Sequence, residues 1–301
     1  MCGIVGLFAK SSEVERRLGA YLAAMLSQMS DRGPDSAGVA IYRDPVPSGA
    51  SKLTLFSSDA RENWDALAEE LARVFGGTAE AHVRSSHAVV VVETDPADAE
   101  AWVRAERPDL RVMSAGQVIE IYKETGSPRE FVRRFALEEL QGTHAVGHTR
   151  MATESRVTTE GSHPFSTGFD LCLVHNGSLS NHNRLRVNLR REGIEFQTEN
   201  DTEVAAGYLA WRMREGASLE EALEGCLTDL DGFYTFAVGT ADGFAVLRDP
   251  IACKPAVLAE TDEWVAMGSE WRALAVLPGA ADAEKWEPQP GVVYVWEKAR
   301  V

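Results

Sequence analysis

Chemistry-bearing residues begin at the second position. Cys2 follows Met1 and precedes a short apolar run, Gly3-Ile4-Val5-Gly6-Leu7-Phe8. Removal of Met1 would leave one residue carrying both a thiol and a free α-amine. A reference thiol titrates near ~8.5 and a reference α-amine near ~7.7–8.0. The thiolate is the nucleophilic form, and an amine of that basicity can take its proton close to neutrality. A lone cysteine is equally at home as a small buried apolar side chain, so the decision falls to the other polar motifs.

Four of these are informative. Gly147-His148-Thr149-Arg150-Met151-Ala152-Thr153 reads as a strand running into a loop. An arginine there can grip a carboxylate through two parallel hydrogen bonds, or sit in a surface ion pair. His163-Pro164-Phe165 closes that loop, with a ring that either packs or touches a ligand. His175-Asn176-Gly177 ends a strand, where Asn-Gly is most often a tight turn. The Asn176 amide and the Gly177 N–H are also two donors suited to an oxyanion, each typically worth ~3–4 kcal/mol of barrier. Glu199-Asn200-Asp201-Thr202-Glu203 opens a helix. Asp201 is its expected N-cap, but its carboxylate could instead meet an ammonium. One guanidinium and one carboxylate are the complement of an α-amino acid.

The surrounding pattern predicts alternating strands and helices. Strands are expected at 3–8, 39–42, 53–56, 89–92, 119–122 and 171–175, then at 233–239, 244–247, 256–259, 264–267 and 292–296. Helices are expected over 13–29, 61–75, 96–106, 128–140, 180–192 (capped by Ser178 or Ser180), 202–214 and 218–229. Strands at both ends with paired helices between them suit a layered α+β sandwich. Residues 52–140 have their own βα rhythm and read as an α/β insertion within a domain spanning 1–301.

Composition narrows the function classes. The chain has 301 residues, 45% hydrophobic, with a formal net charge of −16. That balance argues against nucleic acid and anionic membrane surfaces as partners. The N-terminal apolar run ends at Lys10 and is too short for a signal peptide or a membrane span. The cysteines at 2, 172, 226 and 253 lack metal-site spacing, and a reducing cytoplasmic compartment follows as the simplest expectation. Neither a metal nor an organic cofactor is expected.

In this order, the motifs resemble the class II glutamine amidotransferases, the N-terminal-cysteine glutaminases. The matching pieces are Met1-Cys2-Gly3-Ile4-Val5-Gly6, Arg32-Gly33-Pro34-Asp35-Ser36-Ala37-Gly38, the stretch 147–153, His163-Pro164, His175-Asn176-Gly177 and Asn200-Asp201-Thr202-Glu203. Arg248-Asp249-Pro250, Lys254-Pro255 and Gly268-Ser269-Glu270 resemble later hairpin motifs of the family. The resemblance implies a four-layer αββα sandwich of the Ntn hydrolase type. It makes Cys2 the nucleophile with its own amine as base, and Asn176 and Gly177 the oxyanion hole. Arg150 would hold the glutamine α-carboxylate and Asp201 the α-ammonium. Thr153 and His163 would line the pocket, with Arg32 and Asp35 bracing the N-terminal loop. Met151 and Glu154 depart from the Trp and His that many relatives carry there.

The resemblance implies hydrolysis of L-glutamine to glutamate and ammonia, with the acceptor chemistry on a separate synthase subunit. Stand-alone size and a long insertion are most like the amidotransferase subunit of glutamate-synthase-like or N-methylglutamate synthase complexes, and 52–140 would contact such a partner. Two alternatives stand beside this reading: another N-terminal-cysteine amidohydrolase acting on acyl amides, and a regulatory subunit with a retired site.

Overall fold

A computed structural model describes residues 2–152 and 157–298. Two strands come first, β1 (Gly3–Ala9) and β2 (Ser36–Tyr42). The next four, β3 (Ser51–Phe56), β4 (Ala79–Arg84), β5 (His87–Val92) and β6 (Arg111–Gly116), build a sheet of their own. Then come β7 (Ile119–Thr125), β8 (His144–Arg150) and β9 (Cys172–Leu179). The chain finishes with β10 (Gly232–Gly239), β11 (Gly243–Arg248), β12 (Val257–Glu260), β13 (Trp264–Gly268), β14 (Glu284–Trp286) and β15 (Val293–Glu297).

The main sheet has seven antiparallel strands in the order β14-β12-β13-β1-β8-β2-β7. A four-stranded sheet, β15-β11-β10-β9, faces it. Side chains alternate along β1 because successive residues point to opposite faces. Ile4 and Phe8 enter the core between the two sheets, beside Val174, Ala237 and Phe244. Val5 and Leu7 point the other way, against Leu18, Leu22 and Leu26. With both faces covered, all seven residues of β1 are buried. This explains why the segment reads as an unbroken apolar run rather than an alternating one.

Two helical layers close the outer faces. The first comprises α1 (Ser12–Arg16) and α2 (Leu18–Gln28), with later contributions from the same side of the sheet. The inserted sheet carries α3 (Trp64–Phe75) and α4 (Pro96–Glu106). α5 (Pro128–Arg134) rejoins the first layer. The other outer layer is α6 (His182–Arg191), α7 (Asp201–Arg214) and α8 (Leu219–Asp229), and a short α9 (Trp271–Leu274) returns to α2. Val204, Leu209 and Leu223 pack there against Leu173, Phe236 and Leu247 of the smaller sheet. The sequence of layers is helix, sheet, sheet, helix, the αββα sandwich expected.

The inserted sheet, ordered β4-β5-β3-β6, has a separate core in which Leu53, Val90 and Val92 meet Trp64, Leu67, Leu71 and Val103. It occupies 51–116 rather than 52–140. β7 pairs with β2 at the edge of the main sheet, and Phe131, Phe135 and Leu137 lie in the first helical core. Other local expectations also shift. The helix expected over 13–29 breaks at Arg17 (φ −113°, ψ 10°). β4 and β6 went unread because β4 is largely exposed and neither strand has a continuous apolar pattern. Neither Ser178 nor Ser180 caps α6, whose first flanking residue is Asn181.

Candidate active site

Cys2 precedes the central strand β1, and its position follows from register. Gly3 pairs with Thr149 of β8, so Cys2 lies beside the point where β8 ends in Arg150. Its sulfur is 4.0 Å from the Met151 carbonyl. Asn176 and Gly177 come from the other sheet, on β9, paired with Thr235 and Tyr234 of β10. Cys2, Asn176, Gly177, Arg150, His163 and Asp201 all line one cavity of about 880 Å³. Thr153 lies outside the described residues.

The Cys2 carbonyl is held from two sides. Arg32 Nε donates to it at 3.0 Å and Asn176 Nδ2 at 3.3 Å. Arg32 is 8% exposed, and its guanidinium also pairs with Glu270. Hydrogen bonding from Arg32 holds the Glu270 carboxyl below its ordinary range. The Ile4 N–H donates to Ser269 Oγ at 2.9 Å, and the Ser269 N–H returns to the Ile4 carbonyl at 3.0 Å. The first residues of the described chain are therefore fixed by the segment that follows β13. Asp35 fixes the opposite side of the mouth: its carboxylate accepts the Ala152 N–H at 2.8 Å, and its own N–H donates to the Arg150 carbonyl at 3.0 Å.

The backbone at Gly177 admits no other residue without rearrangement. Its φ is +153°, and a Cβ there would meet the Phe233 carbonyl oxygen at 2.0 Å and His175 Nε2 at 2.7 Å. The left-handed conformation and the close approach both select glycine. Asn176 is buried on a paired strand, so its amide has little freedom to reorient.

The charged pair lines the same cavity. Arg150 is 9% exposed, and its Nη1 donates to the Gly161 carbonyl at 3.0 Å. Asp201 opens α7 but does not cap it. The capping side chain is Asn200, whose Oδ1 accepts the Thr202 N–H at 2.8 Å. The Asp201 carboxylate turns back instead and accepts the Leu179 N–H at 2.9 Å. The expected cap is therefore one residue early, and the Asp201 carboxylate faces the cavity.

Three buried histidines stand together behind the charged pair. His148 and His163 stack with centroids 4.0 Å apart. Thr202 Oγ1 bridges His163 Nε2 at 2.7 Å and His175 Nδ1 at 3.0 Å. Burial lowers the pKa of all three, that of His148 to about 3. They are neutral rings; His163 and His175 line the cavity, whose charged lining residues are Arg111, Arg150, Glu160, Glu199, Asp201 and Lys254. Thr202 and Lys254 lay within quoted motifs but carried no assigned role, because their contacts appear only once α7 and the 249–255 loop are folded back. Among the described residues no cluster of three or more His, Cys, Asp or Glu is arranged to hold a metal. No helix there is long and apolar enough to cross a membrane.

Comparison with known proteins identifies the family. The profile of the glutamine amidotransferase domain matches residues 148–276. The chain is 56% identical over 298 residues to the glutamine amidotransferase-like protein GlxB of Rhizobium meliloti, covering 99% of this chain and 98% of that one. It is 32% identical to a putative glutamine amidotransferase of Methanothermobacter thermautotrophicus, covering 99% and 100%. The glutamine phosphoribosylpyrophosphate amidotransferase of B. subtilis, solved with ADP and GMP, superposes with a TM-score of 0.61 at 20% identity. That superposition covers 98% of this chain and 47% of the larger one, and it speaks to the fold. With full-length relatives at this identity and an αββα sandwich, the chain belongs to the class II glutamine amidotransferases and is an enzyme of that class.

Proposed function

We propose that this chain hydrolyses L-glutamine to L-glutamate and ammonia at Cys2 and passes the ammonia to an acceptor on a separate synthase subunit. The observation that carries the reading is that a thiol, an amide–glycine pair, a guanidinium and a carboxylate all open onto one cavity. Arg150 and Asp201 suit the α-carboxylate and α-ammonium of a free amino acid. An acyl amide lacking those charges would leave both groups without a use.

In this reading the thiol proton moves to the α-amine of Cys2, once Met1 has been removed. Sγ attacks the side-chain carboxamide carbon and forms the S–C bond. The developing oxyanion takes hydrogen bonds from Asn176 Nδ2 and the Gly177 N–H. Asn176 can spare a proton for it, because an amide carries two and the Cys2 carbonyl takes only one. The ammonium formed on Cys2 returns its proton to the departing nitrogen as the C–N bond breaks. Ammonia leaves, and a γ-glutamyl thioester remains. Water then attacks the same carbonyl, the S–C bond breaks, and glutamate departs with the thiol restored.

The ammonia acceptor is assigned to a partner in a glutamate-synthase-like or N-methylglutamate synthase complex, with the inserted sheet as the contact surface. The test is glutamine-dependent release of glutamate and ammonia by protein whose chain begins at Cys2, with and without proteins that co-purify from the native host. Cys2→Ala should abolish release. Release that survives this substitution would end the reading.

A further inference from the structure

The geometry points to Lys123 as a positioning residue for glutamine binding: its buried ammonium pins the loop that carries the back wall of the glutamine cavity. Lys123 is on the edge strand β7, opposite Gly38 of β2, and is 4% exposed. Its Nζ donates to three backbone carbonyls of one short loop: Glu160 at 3.1 Å, Ser162 at 2.9 Å and Pro164 at 3.1 Å. The ammonium also sits 4.6 Å from the centroid of the Phe165 ring. No carboxylate lies within ion-pair distance of it among the described residues. A buried ammonium satisfied by carbonyls alone is costly unless every donor is used, and here all three are.

Those carbonyls alternate with the residues that face the cavity. Gly161, between Glu160 and Ser162, accepts the Arg150 Nη1 hydrogen bond, and His163 lies between Ser162 and Pro164. The loop also rests directly on β2: a Cβ at Gly38 would meet the His163 carbonyl oxygen at 2.1 Å and Lys123 Cβ at 2.6 Å. Removing the ammonium would free three carbonyls in a buried site and release the stretch that orients Arg150 and His163. The nucleophile just ahead of β1 and the oxyanion donors on β9 would stay in place. The role is therefore specific to binding and leaves the chemical step alone.

Burial lowers the Lys123 pKa to about 8, with Glu203 on α7 and Glu160 on the loop opposing that shift. His163 on the loop and His87 on β5 also face this charge, and both are neutral rings. Glu203 is itself held by the Gln197 and Thr198 N–H groups. Deprotonation above pH 8 removes a donor, so glutamine affinity should weaken there.

This inference rests on the glutaminase reading, and its tests separate the two. Lys123→Met should raise KM for glutamine at least tenfold and change kcat less than threefold. Lys123→Gln, which keeps two donors, should recover part of the loss. Wild-type KM should rise between pH 7.5 and 9, and the Met variant should lose that rise. Hydrogen exchange over the loop 158–165, read without substrate, should speed up in both variants and stay unchanged in the strands of the main sheet. Active wild type with an unchanged KM in Lys123→Met would overturn the assignment of Lys123 and leave the glutaminase reading intact. Unchanged exchange over 158–165 would overturn it even if the wild type proved inactive on glutamine. If Lys123→Met fails to fold, the Gln variant and the wild-type pH profile still decide.

Discussion

Replacing Asn176 by alanine should separate catalysis from stability more sharply than any other substitution in the site. Among the described residues the amide donates one hydrogen bond, to the Cys2 carbonyl at 3.3 Å, beyond the usual range for an amide donor. Losing such a bond costs on the order of 1 kcal/mol of stability. The space vacated opens onto a polar cavity that water can enter, so no dry void adds to the cost. In the transition state the same group faces a developing full charge. Removal of one donor of that kind typically costs about 3 kcal/mol, on the order of a hundredfold or more in kcat. Paired strands hold the backbone here, so the substitution leaves the Gly177 N–H in place. Asn176→Ala should therefore keep its fold, keep KM within a few-fold and lose kcat by at least about a hundredfold. Asn176→Asp should lose more, because a carboxylate would face the oxyanion. Steady-state glutamate release beside thermal unfolding provides the assay. A folded alanine variant within threefold of wild-type kcat would refute the assignment of this amide to the oxyanion.

The remaining predictions probe binding, the anchored terminus and the buried rings. Arg150→Met should raise KM for glutamine roughly 30-fold, from about 2 kcal/mol for a charge-assisted pair, with a smaller effect on kcat. Equal loss of both constants would place the arginine elsewhere in the cycle. Glu270→Gln should weaken acid dependence, since the depressed Glu270 carboxyl stabilises the fold above the ordinary carboxylate pKa and loses that contribution as pH falls through its lower folded value. Denaturant midpoints between pH 5 and 3 would show it, and an unchanged acid limb would count against the Arg32–Glu270 link. His87, His144 and His148 are each lowered to about 3 by burial. The unfolded chain takes up protons below about pH 6.5 that the folded chain refuses, so stability should fall as pH drops from 6.5 towards 3. The expected slope is up to about 1.4 kcal/mol per pH unit for each ring. Stability that stays flat from pH 7 to 5 would show that these rings are not buried and neutral.

The sequence revealed most where chemistry falls at strand ends. Cys2 before β1, Arg150 at the end of β8 and Asn176-Gly177 on β9 are residue types that stand out in short motifs, and strand register brings them to one cavity. Residues acting between distant elements were harder to read. Lys123 reaches a loop some forty residues on, and Glu270 reaches back to Arg32. Nothing in their neighbours' types announces either contact. Asn200 and Asp201 are both good capping residues, and only the folded backbone shows that Asn200 takes the cap and leaves Asp201 to face the cavity. The end of the insertion was misplaced for a related reason. β7 has the same apolar rhythm as the strands before it, and only its pairing with β2 assigns it to the main sheet.

The central claim is that Cys2 carries the acyl group, and covalent capture addresses it most directly. Protein with Cys2 as its first residue is mixed with glutamine, quenched in acid within the turnover time, and its N-terminal peptide is weighed by mass spectrometry. The account predicts a γ-glutamyl adduct on Cys2, removed by hydroxylamine and increased by any change that slows attack of water. Glutamate release with no adduct on this residue, or equal release from chains still beginning with methionine, would contradict it.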